Sequence, residues 1–83
     1  MKCVKVLVKG RVHGVGFRAY TSKYAKSLGL KGYVKNVSEG VEAVFSGFEV
    51  DQMIKILKEG PGVVEDVILE ECSEEFTDFE IRY

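Results

Sequence analysis

The stretch CVKVLVKGRVHGVGFRAYTSKYAKSLG, residues 3–29, changes its apolar period at its centre and thereby decides the fold. In its first part, Val4, Val6 and Val8 occupy every second position, which predicts a strand with one buried face. Beyond the glycines, apolar and aromatic side chains recur at three- and four-residue spacing, as on one side of a helix: Phe17, Tyr20, Tyr24, Ala25 and Leu28. The stretch therefore predicts a strand, a glycine-rich turn and an amphipathic helix that ends at Gly29.

Downstream of that helix, two short apolar segments flank a tight turn. GYVKNV (residues 32–37) and VEAVFSG (residues 41–47) surround the Ser-Glu-Gly sequence of residues 38–40, which predicts a β-hairpin. A second helix follows, because apolar residues again recur at helical spacing before a Gly-Pro pair closes the segment: Val50, Met53, Ile54 and Leu57. The segments VVEDVILEE and FTDFEIRY then predict two further strands, the last one short.

The order of elements is β-α-β-β-α-β with a short β tail. This order is typical of the ferredoxin-like arrangement, in which two helices cover one face of an antiparallel sheet. We therefore expect an α+β sandwich. Because no linker or internal boundary interrupts the pattern, we expect residues 1–83 to form a single domain. Unrelated activities share this fold, so the function must come from the site.

Composition and cysteine content restrict the class of protein. Twelve basic and thirteen acidic side chains give a formal net charge of −1, which argues against a dedicated nucleic-acid module. Cys3 and Cys72 are too few and too far apart for a metal-ligand pattern. They could pair only if their strands are neighbours, and we expect two unpaired, mostly buried thiols. With no signal peptide or membrane-spanning stretch in the sequence, we expect a cytoplasmic protein without membrane contact.

The turn KGRVHGVGFR, residues 9–18, lies where the first strand gives way to the first helix. Strands one and two run parallel in the expected fold, so this turn and Asn36, at the end of strand two, lie at the same edge of the sheet. If strand three lies between them, the two positions are about 10 Å apart. A long side chain and a small substrate can bridge that distance.

The residue types in this turn favour an anion. Glycines at positions 10, 14 and 16 allow backbone N–H groups to turn inward, and the start of the helix adds unpaired donors and a positive dipole. Arg18 falls in the first helical turn, where its guanidinium offers a bidentate fork to phosphate or carboxylate. A cation is unfavourable at that helix end unless an anion offsets it.

Other interpretations compete with an anion site. GVGFRA, residues 14–19, matches a dinucleotide fingerprint, but the hairpin that follows leaves no room for the parallel strands of that fold. A Walker loop needs four residues between its glycines, whereas Gly10 and Gly14 enclose three. His13 is a candidate base, although we expect it to hold the loop or face solvent. A turn that serves packing alone also stays open.

The motifs in this order resemble those of the acylphosphatase family. VKGRVHGVGFR (residues 8–18) is similar to its first signature, and GYVKN followed by a glycine four residues after Asn36 is similar to its second. The likeness extends over nearly the whole chain, through AKSLGLKG, VEAVFSG, the GP after the second helix and the final FEIRY. Three positions depart from the pattern: His13 replaces a glutamine, Tyr33 a tryptophan, and Gly40 and Val41 are adjacent where one residue usually separates them.

The resemblance implies hydrolysis of small acyl phosphates to a carboxylate and inorganic phosphate, without metal, cofactor or covalent intermediate. Arg18 would bind the phosphate and Asn36 would orient the attacking water. The phosphate-binding set implied by the match is contiguous: Val12, His13, Gly14, Val15, Gly16, Phe17 and Arg18. Asn36 precedes the shortened hairpin, so we expect it to keep its place. We expect a monomer whose partner is a small-molecule substrate and not nucleic acid; a non-catalytic, regulatory anion-binding module is the alternative.

Overall fold

The computed structural model describes residues 2–83 as one five-stranded sheet and two helices. The elements in chain order are β1 (Lys2–Arg11), α1 (Phe17–Ser27), β2 (Lys31–Val37), β3 (Gly40–Gly47), α2 (Val50–Lys58), β4 (Val63–Glu71) and β5 (Phe79–Ile81). The strand order is β4-β1-β3-β2-β5, so β3 lies between β1 and β2 as the sequence predicts. The ferredoxin-like α+β arrangement is confirmed.

One strand pair differs from the expected antiparallel sheet. β5 pairs with β2 in parallel, whereas the other neighbouring strands are antiparallel, so the sheet is mixed. The reason is the route of the chain: β4 and β5 are opposite edges, and residues 72–78 connect them along one end of the sheet. β5 therefore begins at the end where β2 also begins. Within the described residues, neither helix is long and apolar enough to cross a membrane.

The core lies between the sheet and the two helices. Val4, Val6 and Val8 are at most 5% exposed and pack in one cluster with apolar side chains of both helices. The buried side of α1 differs from the prediction, because Thr21 and Ser22 are buried while Tyr20 is half-buried. Small side chains let the helix approach the sheet, and the tyrosine hydroxyl needs a polar partner. Tyr20 finds it beside α2, where its hydroxyl donates to the Ile56 carbonyl at 2.9 Å.

The expectation of two unpaired thiols is wrong. Cys3 and Cys72 form a disulfide, with their Cα atoms 5.1 Å apart. The cause is the register of β1 against β4, in which Val4 faces Glu71, so the next residue outward on each strand is a cysteine. The Cys72 N–H also donates to the Cys3 carbonyl. A sequence separation of 69 residues carries no sign of this adjacency, which arises only when the two edges pair.

The sheet face away from the helices carries a polar network centred on Glu42. Its carboxylate accepts a hydrogen bond from the Tyr33 hydroxyl at 2.8 Å and lies 3.5 Å and 3.6 Å from the ammonium groups of Lys5 and Lys35. Burial, together with the hydrogen bond to Glu42, raises the pKa of Tyr33 to about 12. Burial alone would raise the pKa of Glu42, but the Tyr33 hydroxyl and the two lysines outweigh it and lower that pKa. The network therefore keeps the Tyr33 phenol neutral and the Glu42 carboxylate charged at neutral pH.

The surroundings of Tyr33 decide whether its ring could stack on a base of a nucleic acid. The Arg82 guanidinium lies 4.1 Å from the Tyr33 ring centre, and Phe76 packs edge-on against the same ring. The Tyr33 residue is only 8% exposed. Its own chain thus covers the ring that a base would need for stacking.

Candidate anion-binding site

A cavity of about 180 Å³ opens where β1 and β2 end and α1 begins. Its walls come from the glycine-rich loop, the first helical turn, the end of β2, and the end of β5 with the residues that follow it. The lining residues are Val12, Gly14, Gly16, Phe17, Arg18, Ala19, Asn36, Ile81 and Tyr83. The two sequence positions singled out as functional, Arg18 and Asn36, therefore face the same space although 18 residues separate them.

The loop that follows β1 presents its backbone donors to this end of the molecule. Gly14 and Gly16 have φ angles of 71° and 76°, while Val15 between them does not have a positive φ. This alternation of backbone handedness is the geometry of an anion-binding nest. Among residues 2–83, no acceptor receives a hydrogen bond from the N–H groups of residues 13–18. The loop thus holds a row of backbone donors for which residues 2–83 provide no partner.

Gly16 shows why glycine is required there. It precedes α1 as the N-cap residue with φ 76° and ψ 22°, a left-handed conformation that is costly for residues with a Cβ. A Cβ added at this position would meet nothing within 4 Å. The requirement is therefore conformational, and the space beside the loop is left open instead of being filled by packing.

Arg18 places a positive charge in the first turn of α1. Its guanidinium carbon lies 4.7 Å from the centre of the Tyr83 ring, and Nη1 donates to the carbonyl of Arg82 at a long 3.4 Å. No carboxylate of the described residues forms an ion pair with it, and the first helical turn contains no acidic residue. The positive charge and the helix dipole consequently add, as an incoming anion requires.

Asn36 lies near the end of β2 and pairs with Val41 of β3. The β2–β3 ladder keeps one register from Lys31 to Val37, and only residues 38 and 39 form the turn. The short hairpin therefore causes no slip, and the side chain of Asn36 keeps the cavity-facing position that we expected. An exposed amide at this place offers both a donor and an acceptor to a bound molecule.

The structure divides the predicted loop residues into two groups. Val12, Gly14, Gly16 and Phe17 line the cavity with Arg18. The side chains of His13 and Val15 do not: the His13 Nε2 forms a hydrogen bond with the Gly40 carbonyl, and Val15 lies beside Gly62. Their backbone N–H groups still belong to the row of unpaired donors.

Ile81 and Tyr83 line the cavity and were not predicted as site residues. The signal for them was the alternation of Phe79, Ile81 and Tyr83, which places the three side chains on one face. The alternation alone does not show that this face lies beside α1, because that proximity depends on the pairing of β5 with β2. In the described residues, no group of three or more His, Cys, Asp or Glu side chains is arranged to hold a metal ion.

Comparison with known proteins gives a consistent result. Residues 4–81 match the family model described as Acylphosphatase. An acylphosphatase from Caldivirga maquilingensis is 49% identical over 88 aligned positions, which cover 96% of this chain and 93% of the relative. The crystal structure of acylphosphatase from Bacillus subtilis superimposes with a TM-score of 0.94 at 33% identity and full coverage of both chains. An acylphosphatase from Coxiella burnetii gives a TM-score of 0.91 at 40% identity, covering 98% of this chain and 92% of that one.

Proposed function

This chain belongs to the acylphosphatase family, and from that premise we propose that it hydrolyses small acyl phosphates by direct attack of water on phosphorus, without a metal ion or a covalent intermediate. One observation carries the proposal: among residues 2–83, a row of backbone donors without acceptors and a guanidinium without a carboxylate partner share a cavity with a single exposed amide side chain. The backbone donors and the guanidinium suit a phosphate, and the amide suits a water molecule beside it.

The phosphate would be held by the loop. In this proposal the backbone N–H groups of residues 12–17 point at the phosphoryl oxygens, and Arg18 adds a charge-assisted, bidentate contact. Phosphoryl transfer passes through a loose transition state, so the enzyme contributes mainly positioning and stabilisation of charge. Donors that are already oriented before substrate arrives need no reorganisation during the reaction, which makes their contribution larger than that of water.

Asn36 would orient the nucleophile. Its side-chain carbonyl oxygen accepts a hydrogen bond from the attacking water, or its amide nitrogen donates one. A bond forms between the water oxygen and phosphorus while the bond from phosphorus to the acyl oxygen breaks. The electron pair of that bond leaves with the carboxylate, and the proton of the attacking water passes to a phosphate oxygen or to solvent.

The leaving group explains why few catalytic side chains are needed. The carboxylic acid that corresponds to the leaving group has a pKa of about 4, so the group departs as the carboxylate anion without a general acid. A positioned amide is then sufficient for the water, because charge stabilisation comes from the loop and Arg18. We propose that residues 1–83 act as a single domain and as a monomer, because the proposed reaction uses only the loop, Arg18 and Asn36, which one chain brings to one cavity. Sedimentation analysis tests the oligomeric state.

The direct test is hydrolysis of acetyl phosphate and benzoyl phosphate by the purified protein. We expect equal rates with excess chelator and with added Mg²⁺, and we expect oxygen from ¹⁸O-labelled water to appear in the inorganic phosphate. Label in the carboxylate would show attack on carbon and contradict the mechanism. Loss of activity in chelator, restored by metal, would contradict metal independence. No hydrolysis above the buffer rate would contradict the function as a whole.

A further inference from the structure

His13 is a polar side chain of the loop that the proposed mechanism leaves unused. Its ring does not line the cavity. Instead, Nε2 lies 2.5 Å from the carbonyl oxygen of Gly40, which is 27 positions further along the chain. A carbonyl oxygen only accepts hydrogen bonds, so the imidazole donates and Nε2 carries the proton. The contact therefore fixes both the position of the ring and its tautomer.

The acceptor of this hydrogen bond lies beside the residue that fixes Asn36. Asn36 pairs with Val41 in the β2–β3 ladder, and Gly40 is the preceding residue of the same strand. Gly40 is also held from the other side, because it pairs with Lys9 of β1 and approaches the Val8 carbonyl so closely that a Cβ would collide with it. The Gly40 carbonyl is thus a rigid point one residue from the partner of Asn36.

The loop has few other connections to this hairpin. Its N–H groups at residues 13–18 find no acceptor in the described part of the chain, and Val15 faces Gly62 on the α2–β4 connection. Among residues 2–83, the His13 contact is the one side-chain hydrogen bond that joins the loop to β3. Without it, only the pairing of the strands and the apolar packing of Val12 and Phe17 in the core would relate the loop to the strand end that carries Asn36.

We propose that His13 is a positioning residue, whose hydrogen bond to Gly40 sets the separation between the phosphate-binding loop and Asn36. The inference rests on the proposed function, because that separation is the one between phosphorus and the attacking water. A small error in such a distance lowers the rate of the chemical step strongly. It has little effect on phosphate affinity, since the donors that bind phosphate all belong to the loop and α1.

The test compares three variants by steady-state kinetics and by inhibition with inorganic phosphate. For His13→Ala we expect kcat to fall about 10- to 100-fold, while the KM and the inhibition constant for phosphate stay within about threefold. His13→Gln restores an N–H donor of similar reach, and we expect it to recover most of the lost kcat. Ser38→Ala is the matched control on the same turn, where the hydroxyl contacts only Glu39; we expect it to behave as the wild type.

Three kinetic results would overturn the inference: an unchanged His13→Ala, a loss of phosphate affinity as large as the loss of kcat, or a His13→Gln as slow as His13→Ala. Absence of hydrolysis in the wild type would instead contradict the proposed function. A second measurement then decides the inference by itself. Inorganic phosphate should shift the NMR amide signals of Gly40 and Val41 in the wild type but not in His13→Ala, and equal shifts in both would overturn it.

Discussion

The two ends of the sheet are built in opposite ways. At one end, which we call the site end, lie the loop of residues 12–18 and Asn36, with backbone donors and a cation for which residues 2–83 supply no acceptor and no carboxylate. At the other, which we call the tied end, the disulfide joins β1 to the chain after β4, and the Gly32 N–H donates to the Asp78 carbonyl. The tied end is cross-linked within the chain, whereas the site end places a guanidinium without a carboxylate partner among residues 2–83 beside an open cavity.

This difference indicates a separation of stability from activity. Unpaired donors at the site end add nothing to the folded state that water does not also give to the unfolded state. A covalent link at the tied end restricts the unfolded chain and touches no residue of the cavity. Changes at the site end should therefore alter turnover with little effect on stability, and changes at the tied end should do the reverse.

The largest expected effect is that of Arg18→Ala. Loss of the guanidinium removes the charge-assisted contact to phosphate, and we expect kcat/KM for acetyl phosphate to fall by at least about 10³-fold. Arg18→Lys keeps the charge but not the planar fork, so it should recover only a part. Thermal unfolding should show a similar Tm for all three proteins. Near-normal turnover in Arg18→Ala would contradict the assignment of Arg18 to phosphate binding.

Reduction of the disulfide should have the next largest effect, on stability alone. A cross-link across 69 residues contributes about 4 kcal/mol in the chain-entropy account. For a domain of this size, the loss corresponds to a decrease in Tm of roughly 20 °C. Calorimetry with and without reductant measures it, and Cys3→Ser/Cys72→Ser should behave as the reduced protein. If reduction lowered kcat at 25 °C while the Tm stayed constant, the two ends would not be independent.

Asn36→Ala should affect the chemical step more than binding. We expect kcat to fall about 100-fold because the water loses its orienting group, with the inhibition constant for phosphate within about threefold of the wild type. Asn36→Asp keeps the shape but places a negative charge beside the substrate, so it should bind phosphate less well than Asn36→Ala. A parallel loss of phosphate affinity and kcat in Asn36→Ala would show instead that Asn36 binds the phosphate.

The smallest expected effect concerns Glu42 on the open face. Its folded-state pKa is lowered, so the stabilisation it gives is present above its unfolded-state pKa and is lost as the pH falls through the folded-state value. We expect Glu42→Gln to be less stable than the wild type by about 1 kcal/mol at pH 7, and the gap to narrow towards pH 3. Urea unfolding at both pH values measures the gap, and a gap that widens on acidification would reverse the assigned sign.

The sequence predicted the elements and the proximity of Arg18 to Asn36, for which local patterns and topology suffice. The change of apolar period around Gly16 gave β1 and α1, and the parallel relation of β1 and β2 brought Arg18 and Asn36 to one edge. The disulfide and the parallel β5 escaped prediction because each depends on how distant edges pair. The hydrogen bond from His13 to Gly40 was not predicted, because a contact between one ring nitrogen and one backbone carbonyl produces no recognisable pattern of residues.

The central claim is that the loop and Arg18 bind phosphate next to Asn36. A titration of ¹⁵N-labelled protein with inorganic phosphate, followed by NMR, tests it most directly. We predict saturable shifts of the amide signals of residues 13–18, of the Arg18 guanidinium and of the Asn36 side chain, with the tied end unchanged. Shifts spread over surface lysines without saturation, or saturable shifts that leave the loop amides unmoved, would contradict the claim.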